Sequence, residues 1–240
     1  MDINIQMNES ITCWICNQSP VTGEHKIKKS DLKSIFNKPT QKNPLYFTEY
    51  DETCVIKEKP LGSFDNKILK RHNICANCNG TRTQSHDESW QHLSNVLRQS
   101  CLKKSDVVRT NKLFKYNTKE KMLNVHLYFV KHFGCYITEY TTPIDIKTFA
   151  TSILNNKAHP NLFLQFGIFS RPEKKFAGAT KIDLIKESGF LIAEYSLCIS
   201  DLVVKVIFTD GKDIDNKYKD LIDNSWHPHR TSKITITHCF

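Results

Sequence analysis

Cys75-Ala76-Asn77-Cys78-Asn79-Gly80-Thr81-Arg82-Thr83-Gln84 is the stretch on which the reading of this chain turns, because it answers Cys13-Trp14-Ile15-Cys16 far upstream. A Cys-x-x-Cys knuckle lets two thiolates reach one metal from a single tight turn, and two knuckles supply the four sulfurs of a closed tetrahedral Zn2+ site. Cys13, Cys16, Cys75 and Cys78 are therefore expected to hold one structural zinc, with buried free thiols as the competing reading. The other five of the nine cysteines are scattered and read as core packing. An odd cysteine count argues against a disulfide framework, and the start Met1-Asp2-Ile3-Asn4 lacks the basic end and apolar stretch of a secretory signal. No apolar run is long enough to span a bilayer. A soluble, cytoplasmic protein with no membrane partner is the expectation.

Glu24-His25 lies between the knuckles and Asn79 directly follows the second. Zinc joining the knuckles would bring these segments together and gather a carboxylate, an imidazole and an amide oxygen. A hard cation such as Mg2+ accepts oxygen ligands and keeps waters that a phosphate can displace. A neutral histidine beside it can take a proton from an attacking water. One metal and one histidine base suffice to hydrolyse a phosphodiester.

Cys13-Trp14-Ile15-Cys16, Gly23-Glu24-His25-Lys26-Ile27 and the run from Cys75 to Asp87 together resemble the HNH endonucleases of the ββα-metal fold, in the subgroup pinned by two Cys-x-x-Cys knuckles. The resemblance covers about residues 11–100 and does not reach the last 140. It implies that Glu24 and Asn79 hold a catalytic Mg2+ or Mn2+ and that His25 is the general base. Two departures stand out. The acid in that family is more often aspartate. The stretch 33–66 is a longer insertion than the compact motif needs, which leaves Asn66 and Asn73 as alternatives for the asparagine that buttresses His25. His86 reads either as a contact to the metal or phosphate or as a structural histidine, and Arg82 either as a phosphate grip or as a surface residue.

The 240 residues, with 39% hydrophobic and 25% charged side chains, suffice for a real core and exclude wholesale disorder. The net charge of +9 favours a polyanionic partner. Residues 1–100 carry 13 basic and 11 acidic side chains, whereas residues 101–240 carry 21 and 14, so most of the excess lies in the second part. It concentrates between Lys103 and Lys131, where eight basic residues face only Asp106 and Glu120. Lys103, Lys104, Arg109 and Lys112 are accordingly candidates for DNA contact, with a solvated helix face as the alternative. Trp226-His227-Pro228-His229-Arg230 lacks a third ligand, and its histidines read as surface or packing residues rather than a metal site.

The expected architecture is α+β. Residues 1–101 form a zinc-stapled ββα-metal module with the insertion at 33–66, and residues 102–240 form a basic helical linker and a mixed α+β domain. A capping box at Ser85-His86-Asp87-Glu88 opens a helix that buries Trp90, Leu93, Leu97 and Cys101. Helices are expected near 119–133 and 144–156, and strands over 162–169, 181–185, 190–195, 202–208 and 233–237. The function expected is metal-dependent cleavage of DNA, double-stranded by preference, in a restriction, defence or mobile-element setting, with a homodimer left open. The rival is a non-catalytic zinc module that binds nucleic acid or protein. Glu24, His25 and Asn79 discriminate, because a pure binding finger does not need them there.

Overall fold

The first knuckle leads, through the four residues after Cys16, into a strand whose five residues are all half-buried. In the computed structural model, which describes residues 12–19, 21–50, 56–99, 107–169, 176–187, 189–210 and 216–239, this is β1 (Val21–His25). Helix α1 (Lys29–Ile35) follows, then β2 (Leu45–Tyr50) and β3 (Ile56–Leu61), which pair with each other. The insertion thus has its own hairpin, with Tyr46-Phe47-Thr48 inside β2 and Ile56 opening β3, while Cys54 lies outside the described residues. After a single 3-10 turn at Lys67–Leu69, β4 (Lys70–Cys75) returns antiparallel to β1 and delivers the second knuckle. Two helices come next, α2 (Ala76–Asn79) and α3 (Gln84–Gln99).

Helix α3 begins at Gln84, so Ser85 is not its N-cap and His86 lies within the first turn. The capping box does not form, because its glutamate is otherwise engaged and the helix starts before its serine. Gln84 Nε2 donates to the Glu88 carboxylate at 2.9 Å, and the Thr83 hydroxyl donates to the Cys78 carbonyl at 2.8 Å and fixes the preceding turn. The apolar stripe is as read: Trp90, Leu93 and Leu97 are buried, and Cys101 lies outside the described residues.

The second part contributes β5 (Val107–Arg109), α4 (Thr110–Leu113), α5 (Thr118–Glu139) and α6 (Ile146–Leu154). It continues with β6 (Leu162–Phe169), β7 (Ala177–Ala179), β8 (Asp183–Glu187), β9 (Phe190–Ile199), β10 (Leu202–Thr209), α7 (Asn216–Asp223) and β11 (Lys233–Cys239). These strands make one sheet in the order β5-β11-β6-β10-β9-β7, with β8 also on β9; only the β11–β6 pairing is parallel. Among the described residues only β8–β9 and β9–β10 pair consecutive strands, and Gly189 (φ +96°) supplies the backbone needed between β8 and β9.

Helix α5 organises the molecule. Its residues from Asn124 to Ile137 are all buried, the polar Asn124, His126, Lys131 and His132 included, so neighbours enclose the helix on every side. It packs on α3 and β4 on one side and on α6 and the sheet on the other, where Phe133 stacks on Tyr195. Fully burying a phenylalanine such as Phe133 contributes roughly 1.5–3 kcal/mol. Gly134 permits the closest approach: a Cβ there would sit 2.4 Å from the Trp14 ring, so the first knuckle lies directly against α5. One continuous hydrophobic core therefore runs from Cys13 and Ile15 through Trp90 and Phe129 to Val206 and Ile236, across both expected units. A smaller cluster, Phe163, Phe190, Ile192, Ile207 and Ile222, lies apart from it.

Of the two C-terminal histidines His227 is a buried packing residue and His229 is exposed, one of each kind the sequence allowed. The His159 backbone N–H donates to His126 Nε2 at 3.2 Å, and His227 Nε2 bonds the His159 carbonyl at 3.1 Å. Burial, reinforced by neighbouring His227, holds His159 down to about 4 against 6.5 in the free side chain, and His126 and His227 are lowered too. Between these values the unfolded chain binds the extra protons, so stability is lost as pH falls from 6.5 toward 4. For one such histidine at pH 5 the loss is on the order of 2 kcal/mol. Urea midpoints at pH 7.5 and pH 5 should show it, and equal midpoints would mean that these imidazoles are not held neutral.

Candidate functional site

The four knuckle cysteines converge. Their Sγ atoms all lie within 4.8 Å of one another, and Cys16 and Cys75 are 3.6 Å apart. Sulfurs on a tetrahedral zinc stand about 3.8 Å apart, from Zn–S bonds of about 2.3 Å, so the cluster suits a metal such as zinc. The backbone shapes it locally. Asn17 takes a left-handed conformation (φ 59°) that closes the first knuckle, where Cys13 N donates to Gln18 O at 2.9 Å. Trp14 N donates to Asn73 O at 3.2 Å and ties this knuckle to β4. Hydrogen bonds from the neighbouring knuckle groups bring the Cys75 thiol down to about 7 in spite of desolvation, whereas burial pushes Cys13 and Cys78 up. Arg82 Nη1 stands 3.2 Å from Cys78 Sγ, so this guanidinium serves the sulfur cluster.

Glu24 and His25 are neighbours in β1 and face opposite ways, as successive strand residues must. Glu24 faces α5, where its Oε1 is 3.0 Å from Lys131 Nζ. The same ammonium reaches both Asp87 carboxylate oxygens, at 2.9 and 3.1 Å, and Thr83 Oγ1 at 3.3 Å. Lys131 is wholly buried, so one lysine from the second part of the chain is shared between two acids of the first. Burial raises the Glu24 carboxyl against the pull of Lys131, and the like charge of Asp87 adds to the rise. Lys131 is itself raised, because the two carboxylates outweigh its own desolvation.

His25 faces the insertion. Its Nε2 is buried without a hydrogen-bond partner and lies 3.8 Å from Asp65 Oδ1. Burial and the positive charge of Lys70 lower its pKa, against a backbone hydrogen bond at Phe64 and the charge of Asp65. His25 is therefore neutral near pH 7. Neither asparagine alternative supports it: Asn66 caps the 3-10 turn through Ile68 N, and Asn73 donates to Cys135 O and Thr138 Oγ1. Asn79 Nδ2 donates to Gly23 O at 3.2 Å and to Thr22 Oγ1 at 3.4 Å, clamping α2 onto β1 immediately before Glu24.

His86 is buried beside Lys131 and Asp87, its Nδ1 unpartnered, and burial with the Lys131 charge lowers it to about 4. Arg109 and Lys112 are exposed, whereas Lys103 and Lys104 lie outside the described residues. Among the described residues the cysteine cluster is the only group of three or more histidine, cysteine or acidic side chains close enough to hold a metal. The residues missed by reading the sequence are Lys131 and Asp87. A signal existed for the first: Lys131 is the only charged side chain between Lys121 and Glu139, inside an otherwise apolar helical run.

No family model matches the chain, and no curated protein and no solved structure is similar to it beyond chance. Fold and site thus define a mixed α+β protein with a four-cysteine cluster that could bind a metal such as zinc.

Proposed function

We propose that this chain is a metal-dependent endonuclease of the HNH type that hydrolyses phosphodiester bonds in DNA and is stapled by zinc at Cys13, Cys16, Cys75 and Cys78. The observation that carries the reading is the antiparallel β1–β4 pair running directly into α2, with the Asn79 amide bonded to Gly23 O beside Glu24-His25. That is the strand-strand-helix order the resemblance implies, and the cysteine cluster joins its two halves. Glu24 and Asn79 offer the oxygen donors a hard cation takes, and the nitrogen end of Asn79 is the end already tied to β1. A divalent cation held there would supply positive charge to offset that building on the attacked phosphate.

The protein's own groups do the rest. His25, neutral and with Nε2 unpartnered, would accept the proton of the attacking water at that atom. Asp65, near Nε2, would stabilise the imidazolium so formed. Lys131 would keep Glu24 ionised and oriented. Two observations favour the rival reading, a non-catalytic zinc module: the Glu24 carboxylate already has Lys131 as its cation, and it lies on the face of β1 opposite His25.

Supercoiled plasmid incubated with Mg2+ or Mn2+, and separately with EDTA, decides between them. Metal-dependent nicking is expected from the natural chain. His25→Ala should lower the rate by about 10²–10⁴-fold while zinc content and melting temperature stay put. Near-normal turnover by that variant would remove His25 from the mechanism.

A further inference from the structure

A cavity of about 500 Å³ opens between α1 and the loop that precedes the 3-10 turn, lined by Lys29, Lys33, Phe36, Lys38, Phe64 and Asp65 among others. Its volume is that of a pocket for one small ligand or a short piece of a longer one. Two of its lining residues adjoin His25: Asp65 lies 3.8 Å from His25 Nε2, and Phe64 is the residue whose backbone bonds that ring. The single acid in this wall is already compensated, since Asp65 pairs with Lys29 and has Lys70 at 3.9 Å. Lys33 and Lys38 are exposed and paired with no carboxylate among the described residues. The wall therefore carries an uncompensated positive charge near His25, whose Nε2 has no hydrogen-bond partner. Phe36, half-buried against the core, adds a rigid aromatic face of the kind on which a base stacks.

We propose that this cavity is a subsite for the phosphodiester backbone of a DNA strand, with Lys33 and Lys38 on the phosphates flanking the one presented to His25. The inference takes the role of His25 from the endonuclease reading; the binding itself stands without it. It places nucleic-acid contact on the insertion, away from the basic run that starts at Lys103. The insertion then has a purpose beyond the compact ββα-metal motif: α1 and its following loop carry the lysines to the edge of β1.

The test is the salt dependence of binding by the zinc-loaded full chain, without added magnesium, to labelled DNA duplexes of unrelated sequence. Lys33→Ala with Lys38→Ala is compared with Lys157→Ala with Lys219→Ala, an equal charge change at exposed sites elsewhere. Each lost phosphate contact flattens the log–log slope by about 0.9, so the first variant should lose nearly two and the second none. All four lysines are exposed, so folding is not at stake. An unchanged slope in the Lys33/Lys38 variant, or no duplex binding by the natural chain, overturns the proposal. So does a loss seen with RNA alone. Inorganic phosphate or a mononucleotide binding through Lys33 and Lys38, with the duplex slope unchanged, would make this a small-anion pocket and overturn it too. Cleavage separates the two readings. Lys33- and Lys38-dependent binding without any nicking sinks the endonuclease and keeps the subsite; nicking with an unchanged slope does the reverse.

Discussion

Cys75→Ser is expected to release the metal from the knuckle cluster and to loosen the N-terminal part of the chain. The variant removes one of four thiolates from a site that joins residues far apart in sequence. Metal binding at structural zinc sites is worth about 10–16 kcal/mol in small peptides, against a whole-domain stability of about 5–15 kcal/mol. The loss cannot stay local, since Cys13, Ile15, Ile74 and Cys78 belong to the same core as α5 and the sheet. Metal analysis should read one zinc per natural chain and close to none in the variant, with a clearly lower melting temperature. Chelation of the natural chain should mimic the substitution, and Cys198→Ser, at a half-buried position outside the cluster, should do neither. Full zinc content and an unchanged melt in Cys75→Ser would dismiss the structural metal.

Lys131→Met should be nearly as damaging, for an electrostatic reason. It keeps the volume of the side chain but leaves Glu24 and Asp87 facing one another in a buried place without their cation. Breaking a buried ion pair from one side costs about 3–5 kcal/mol, which in a chain of this size lowers the melting temperature by roughly 10 °C. Adding Glu24→Gln or Asp87→Asn to the lysine variant removes the stranded charge, so stability should partly return. That recovery distinguishes charge from packing, because a merely steric defect would be deepened by a second change. A single variant as stable as the natural chain would mean that water rather than Lys131 compensates the two carboxylates, and that Lys131 is not their counter-ion.

The elements that local pattern can specify are where the sequence says they are. The α5 and α6 helices, the long strands β6, β9 and β10 and the stripe Trp90-Leu93-Leu97 follow from hydrophobic period, which reports which face a segment buries. The misplaced start of α3 shows the limit of such rules. A capping box is a bid for two orphan donors, and it loses when the turn before it is fixed by a bond such as Thr83 to Cys78. Short elements, α1, α4, β7 and α7, carry too few residues for a period to stand out. The strand β4 is hidden for another reason: its residues Lys70-Arg71-His72-Asn73 are polar, and only pairing with β1 and burial against α5 make them strand.

The candidate site divides along the same line. Four cysteines in two knuckles were decided by sequence alone, because the chemistry of a thiolate and the spacing of a tight turn are local facts, and tertiary structure only had to close the distance. Glu24, His25 and Asn79 were legible there only as candidates, since their residue types and their places beside the knuckles are all that the reading uses. Where each of them points was not local. Alternation along β1 sends Glu24 to α5 and His25 to the insertion, and the partner waiting at each end comes from elsewhere in the chain: Lys131 for the acid, Asp65 for the histidine. Lys131 counted in the sequence as one more positive charge of a basic run. Only the packing of α5 between the knuckles and the sheet turned it into a buried counter-ion, because burial is a property of the whole fold and charge is a property of the residue.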